Sequence, residues 1–122
     1  MTCSILSSIK KVLGIEVEYK IFDPDIIIYI NIALSNLNQL GVGPKEGYSI
    51  GNEADEWSDF IGSDSNLNLV KSYIITSVKL MFDPPITSFA IDALKKQLEE
   101  TTWRLSVISS TSPDSKEHYH GA

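Results

Sequence analysis

Reactive groups are scarce in this chain, and their scarcity excludes several classes of function. The single cysteine, Cys3, cannot form an intramolecular disulfide, which is typical of proteins from reducing compartments. His118 and His120 lie together near the C-terminus without a cysteine or carboxylate cluster, so they make a poor metal site. Because the body of the chain has no histidine, its serines lack the base of a hydrolytic triad. We therefore predict a protein that is not an enzyme and that uses no cofactor.

The chain also lacks long hydrophobic runs and phosphate-binding loops. The apolar run 26–30 is far too short to span a bilayer, and the N-terminus has no signal-peptide-like apolar segment. The glycines of 41–44 follow a helical pattern rather than a strand, unlike those of a nucleotide-binding loop. We expect a soluble, cytoplasmic product with no membrane partner.

Positive charge is in short supply. The 122 residues include 10 Lys and Arg against 16 Asp and Glu, a formal net charge of −6. This balance disfavours non-specific nucleic-acid binding, which depends on cations that neutralise phosphates. A hydrophobic content of 43% and the chain length fit one globular domain, which we place at 1–108. The remainder, 109–122, is Ser/Thr-rich without apolar periodicity, and we predict a disordered tail.

Helical periodicity dominates the rest of the chain. Apolar residues recur at helical spacing on both sides of Pro84-Pro85, where consecutive prolines must end a helix and turn the chain. Asp23 followed by Pro24 is typical of a helix start, with Asp23 as the cap. The predicted helices span about 4–13, 24–40, 55–61, 67–81 and 87–108, with Asn66 as a candidate cap of the fourth. These patterns predict an all-α fold, a small bundle of four to five helices.

The fourth helix has the widest apolar arc. Its centre is formed by Val70, Ile74, Val78 and Met81, and only a narrow strip that includes Thr76 is polar. A helix that is apolar around most of its circumference is usually central, so we predict that position for it.

A long connection, 41–54, separates the second and third helices. Tyr48 and Ile50 alternate with a serine there and could form a short β-arm. Its length exceeds that of ordinary loops, so it is either functional or mobile. We expect it to be mobile in the free protein and to become ordered on docking.

Several large apolar residues fall away from the inward stripes of their helices. Ile28 and Ile32 lie on the polar side of the second helix, and they contact either the first helix or a neighbouring subunit. Phe89 and Trp103 lie opposite the inward stripe of the last helix. They form a second contact surface or are covered by the Tyr48 arm. With Tyr48 and Ile50, these four residues are the candidate interface.

Acidic residues cluster around the short third helix. Paired carboxylates can perform acid–base chemistry, but a solvated acidic face is the simpler interpretation, because no pocket is evident. The members of this cluster are Glu53, Asp55, Glu56, Asp59 and Asp64.

Six segments together resemble a known protein family. They read SIKKVLGI (8–15), FDPDII (22–27), LNQLGVG (37–43), WSDFIG (57–62), the stretch 70–85, and WRL (103–105). In this order and spacing they resemble the head–tail connector, or head-completion adaptor, family of tailed bacteriophages and prophages. The resemblance covers roughly 4–107.

The resemblance implies a small helical adaptor that forms a ring under the portal after DNA packaging. Such a ring joins the capsid vertex to the tail or to the next connector, with DNA only passing through its lumen. The expected partners are further copies of the chain, the portal protein, and the tail or next connector. The expected location is the host cytoplasm during assembly and then the head–tail interface of the virion. The acidic cluster becomes a candidate lumen or rim that repels phosphates and lets DNA slide.

Two other functions are compatible with the patterns. The helices flanking Pro84-Pro85 could mimic a helix-turn-helix, although Asp92, Glu99 and Glu100 oppose DNA binding by the second of them. A small regulatory or inhibitory binding protein is the other alternative.

Overall fold

The computed structural model describes residues 4–61 and 67–110, with side chains through residue 108. Five helices occupy this part of the chain: α1 Ile5–Val12, α2 Asp23–Gln39, α3 Trp57–Ile61, α4 Leu67–Phe82 and α5 Ser88–Ser110. The prediction of a small all-α bundle is confirmed. Cys3, Asp64, Asn66, the two histidines and the tail beyond 110 lie outside the described residues.

The ends of α1 and α2 follow local chemistry, with one correction. The Ser4 hydroxyl accepts a hydrogen bond from the Ser7 amide at 3.2 Å and caps α1. The prediction that Asp23 caps α2 is wrong. Phe22 holds the cap position, and Asp23 lies in the first helical turn. The Asp23 carboxylate is engaged instead in an ion pair with Lys10 at 2.8 Å. Gly41, with φ of 87°, follows the end of α2.

The predicted turn between the last two helices is confirmed. α4 ends at Phe82 and α5 begins at Ser88, with Pro84 and Pro85 between them. The Thr87 hydroxyl accepts a hydrogen bond from the Ala90 amide at 3.2 Å and caps α5.

α4 lies between α2 and α5 and packs against both, whereas α1 packs against α2. The central position predicted for α4 is therefore confirmed. Two details differ: Thr76, assigned to the polar strip, is buried, and Met81, assigned to the apolar centre, is only partly buried. The buried apolar side chains are Ile5, Leu6, Ile9, Ile26, Ile30, Ala33, Leu34, Leu37, Ile50, Trp57, Phe60, Val70, Tyr73, Ile74, Val78 and Leu105.

The long connection between α2 and α3 is fastened to the body of the bundle. The Asn31 side chain accepts a hydrogen bond from the Ile50 amide at 2.7 Å and donates one to the Ile50 carbonyl at 3.0 Å. At its far end, the Ile5 amide donates to the Asp55 carbonyl at 3.0 Å, next to an isolated bridge between Ser4 and Glu56. No β-strand forms within 4–61 or 67–110, so the possible β-arm is not present there. The connection is a packed loop rather than the mobile arm that its length suggested.

Candidate interaction surfaces

The outer face of α2 carries exposed isoleucines. Ile28 is 56% exposed and Ile32 is 43% exposed, while the opposite side of the helix is buried in the core. Contact with α1, one of the two interpretations of these residues, therefore does not cover them. A partner that buries these side chains would remove apolar area from water. This burial would stabilise the complex by about 25 cal/mol per Å².

The outer face of α5 is also apolar. Phe89 is 84% exposed and Trp103 is 66% exposed. The Tyr48 arm does not cover them, because the Tyr48 ring packs against Phe60 with ring centroids 5.4 Å apart. Ile86, in the turn before α5, is fully exposed and adds a further apolar side chain near the start of this helix.

Tyr48 and Ile50 lie within the chain's own core region. Ile50 is buried, and the Tyr48 hydroxyl is buried without a hydrogen-bond partner among the described residues. Desolvation raises the pKa of the Tyr48 phenol, and the negative charges of Asp55 and Asp59 raise it further. These two residues stabilise the loop, and they offer little surface to another molecule.

The described acidic residues make local contacts rather than one shared site. Glu53 pairs with Lys20 at 3.1 Å on the surface. Asp55 accepts hydrogen bonds from the Gly51 and Asn52 amides at 2.8 and 3.3 Å, which stabilises the turn before α3. Asp59 accepts one from the Glu56 amide at 3.1 Å. In 4–61 and 67–110, no group of three or more His, Cys, Asp or Glu side chains is placed to hold a metal ion.

A buried lysine is the main feature that sequence reasoning missed. Lys10 is only 1% exposed, although it lies on an amphipathic helix where a lysine normally faces solvent. Besides its ion pair with Asp23, its amine donates hydrogen bonds to the carbonyls of Val17 at 2.9 Å and Tyr19 at 2.7 Å. Lys10 thereby fixes the connection between α1 and α2.

This α1–α2 connection presents a third apolar surface. Tyr19, Ile21 and Phe22 are exposed, and the rings of Phe22 and Phe82 make an edge contact at 5.3 Å. Tyr19 and Phe22 line a groove of about 500 Å³ together with Glu16 and Glu18. The sequence signal was the alternation of apolar and charged residues over 15–21.

No helix in the described part of the chain combines the length and the apolar character needed to cross a membrane.

The described surface thus carries exposed apolar residues in separate places on a small helical bundle, as expected for a protein that binds other proteins. In a comparison with known protein families, a family model described as phage connector protein matches residues 5–112. No curated protein and no solved structure matches the chain. The matched span includes all five helices, so the chain belongs to the phage connector protein family.

Proposed function

We propose that this chain is a head–tail adaptor that assembles as a ring beneath the portal and joins the capsid vertex to the tail or to the next connector. DNA passes through the lumen of the ring. The subunits assemble in the host cytoplasm and remain in the virion. Family membership supports the coarser part of this function, a structural connector role in a phage particle.

The observation that carries the proposal is the placement of exposed apolar residues on two different outer faces. Ile28 and Ile32 lie on α2, whereas Phe89 and Trp103 lie on α5, and α4 separates the two helices. Two distinct contact surfaces on one subunit permit head-to-tail pairing, and such pairing closes into a ring when the rotation allows it. Each face would then be covered by a neighbouring subunit or by the portal.

Negative charge suits passage of DNA through such a ring. The chain has a formal net charge of −6, and Glu53 and Glu56 are exposed near α3. We assign this acidic surface to the lumen or rim, where it repels phosphates and lets the duplex slide. Retention of DNA by the assembled ring, measured over a salt series, tests this assignment. Weak retention at low salt is expected, and strong low-salt binding would contradict it.

The adaptor role is tested by binding to purified portal. The wild-type chain is expected to co-sediment with portal rings in several copies per ring. Replacing Ile28 and Ile32 together by Asp should weaken this binding by at least about tenfold, because burying a carboxylate in an apolar contact is costly. Asn38→Asp adds a carboxylate at an exposed position of α2 that lies about a quarter turn away from this face. It serves as the matched control, with near wild-type binding expected.

The outcome that counts against the proposal is a wild-type chain that does not co-sediment with portal, tail or connector complexes of its own phage. Retained binding by the Ile28→Asp, Ile32→Asp variant would remove the α2 face from the interface.

A further inference from the structure

The outer face of α5 carries a regular stripe of six exposed positions. Its members alternate in spacing of four and three residues, which is the spacing of the contact positions in a coiled coil. The side opposite the stripe packs into the bundle, where Leu105 is buried and Leu98 is partly buried. All six members are exposed: Phe89, Ala93, Lys96, Glu100, Trp103 and Val107.

The stripe is complementary to itself when two copies run antiparallel. With the two helices centred on each other at the level of Leu98, Phe89 of one copy lies opposite Val107 of the second copy. In the same register Ala93 lies opposite Trp103, and Lys96 lies opposite Glu100. Each layer occurs twice, because an antiparallel pair of identical helices is related by a two-fold axis.

Side-chain size fits this register. The smallest member of the stripe, Ala93, faces the largest, Trp103, so that the layers match large with small. Ala93 also borders a groove of about 450 Å³ between α4 and α5, lined in part by Leu69 and Ser72. This groove is the place where the indole of the second copy's Trp103 would be buried.

Charge selects the orientation. In a parallel, in-register pair, Lys96 would face Lys96 and Glu100 would face Glu100, and like charges disfavour such pairing. The antiparallel pair brings opposite charges together twice. Within its own helix, Glu100 has only a loose, exposed pairing with Arg104 at 3.7 Å, which a second cation can join.

We propose that the free protein forms a homodimer through antiparallel pairing of the α5 stripe. The dimer covers Phe89 and Trp103 before the chain meets another phage protein. Because the same residues belong to the surface proposed for assembly, the dimer separates before α5 is used there. The dimer is thus a storage form that protects an apolar face from non-specific association.

Charge reversal in trans tests the register directly. Lys96→Glu and Glu100→Lys are each expected to weaken the dimer by at least about tenfold, because each places two like-charge pairs in it. An equimolar mixture of the two variants should form a heterodimer of near wild-type affinity, since both cross pairs are again attractive. Sedimentation velocity measures the fraction of dimer for each variant alone and for the mixture. Lys95→Glu makes the same charge change beside the stripe and is the matched control, with wild-type dimerisation expected.

Rescue between two separate chains cannot arise from repair within one helix, and circular dichroism verifies that each variant is folded. A monomeric wild-type chain at high micromolar concentration would overturn the proposal. Variants that dimerise like the wild type, or a mixture that stays monomeric, would overturn it as well. These measurements use the chain alone, so their failure leaves the proposed adaptor role untouched.

Discussion

The amine of Lys10 holds the connection between α1 and α2 in place. It lies 2.8 Å from the Asp23 carboxylate and donates hydrogen bonds to two loop carbonyls, so its charge is compensated inside the protein. A buried pair of this kind costs free energy to desolvate, but removing one partner leaves an uncompensated charge in the interior. Lys10 therefore links the stability of the bundle to the shape of the surface that carries Tyr19 and Phe22.

Lys10→Met tests this role. The change keeps most of the side-chain volume, but it leaves the Asp23 carboxylate without its cation and two carbonyls without their donor. The free energy of unfolding is expected to fall by about 3–5 kcal/mol. Chemical denaturation measures the loss. Lys11→Met, at the adjacent exposed position, is the control and should change the value by no more than about 0.5 kcal/mol. Equal effects of the two variants would show that the buried contacts contribute little.

Tyr48→Phe tests a residue whose hydroxyl is buried without a partner among the described residues. Removing it should leave the stability at pH 7 unchanged or raise it by about 1 kcal/mol. The raised pKa of Tyr48 has a second consequence. Because the unfolded chain loses this proton first, stability falls as the pH rises above about 10. The variant should show a shallower fall than the wild type in alkaline denaturation.

At the scale of elements, the loop between α2 and α3 is fixed by one side chain of α2. The two hydrogen bonds between the Asn31 side chain and the backbone of Ile50 hold the middle of the loop, and the packing of Tyr48 on Phe60 completes its attachment. We therefore expect the loop to resist proteolysis in the free protein, in contrast to the mobile arm that its length predicted.

Asn31→Ala should release this loop while the bundle stays folded. Limited proteolysis is expected to cut between Gly41 and Ala54 several times faster in the variant, because loss of the two bonds costs about 1–3 kcal/mol of local stability. Gln39→Ala, an exposed change on the same helix, should leave the cleavage rate unaltered. Rapid cleavage of the wild-type loop would instead restore the view of a mobile arm.

How far the sequence predicts these elements depends on the range of the interactions involved. Helix periodicity and the prolines at 84 and 85 are local signals, and they predicted the helices, the turn before α5 and the outward position of Ile28 and Trp103. The Asn31–Ile50 contact joins residues 19 positions apart, and no local pattern indicates it. The burial of Lys10 was not predicted, because a lysine on an amphipathic helix is normally solvated. The charge is stabilised in the interior by Asp23 and two loop carbonyls, which no local pattern links to Lys10.

At the scale of the whole molecule, α4 divides the bundle into two sides with different outward faces. The core alone accounts for the inward residues of α2 and α5, but it leaves Ile28, Ile32, Phe89 and Trp103 in water. A single small subunit gains nothing from these exposed side chains. Membership in the phage connector family implies assembly with other phage structural proteins. We propose that this assembly covers the outer faces that carry these residues.

The most direct test is electron cryomicroscopy of the complete virion, with this chain located in the map. We predict a closed ring of the chain at the head–tail junction, with Ile28 and Ile32 buried against a neighbouring subunit or the portal. A chain found elsewhere in the particle, or a ring in which the outer faces of both α2 and α5 remain in solvent, would contradict this prediction.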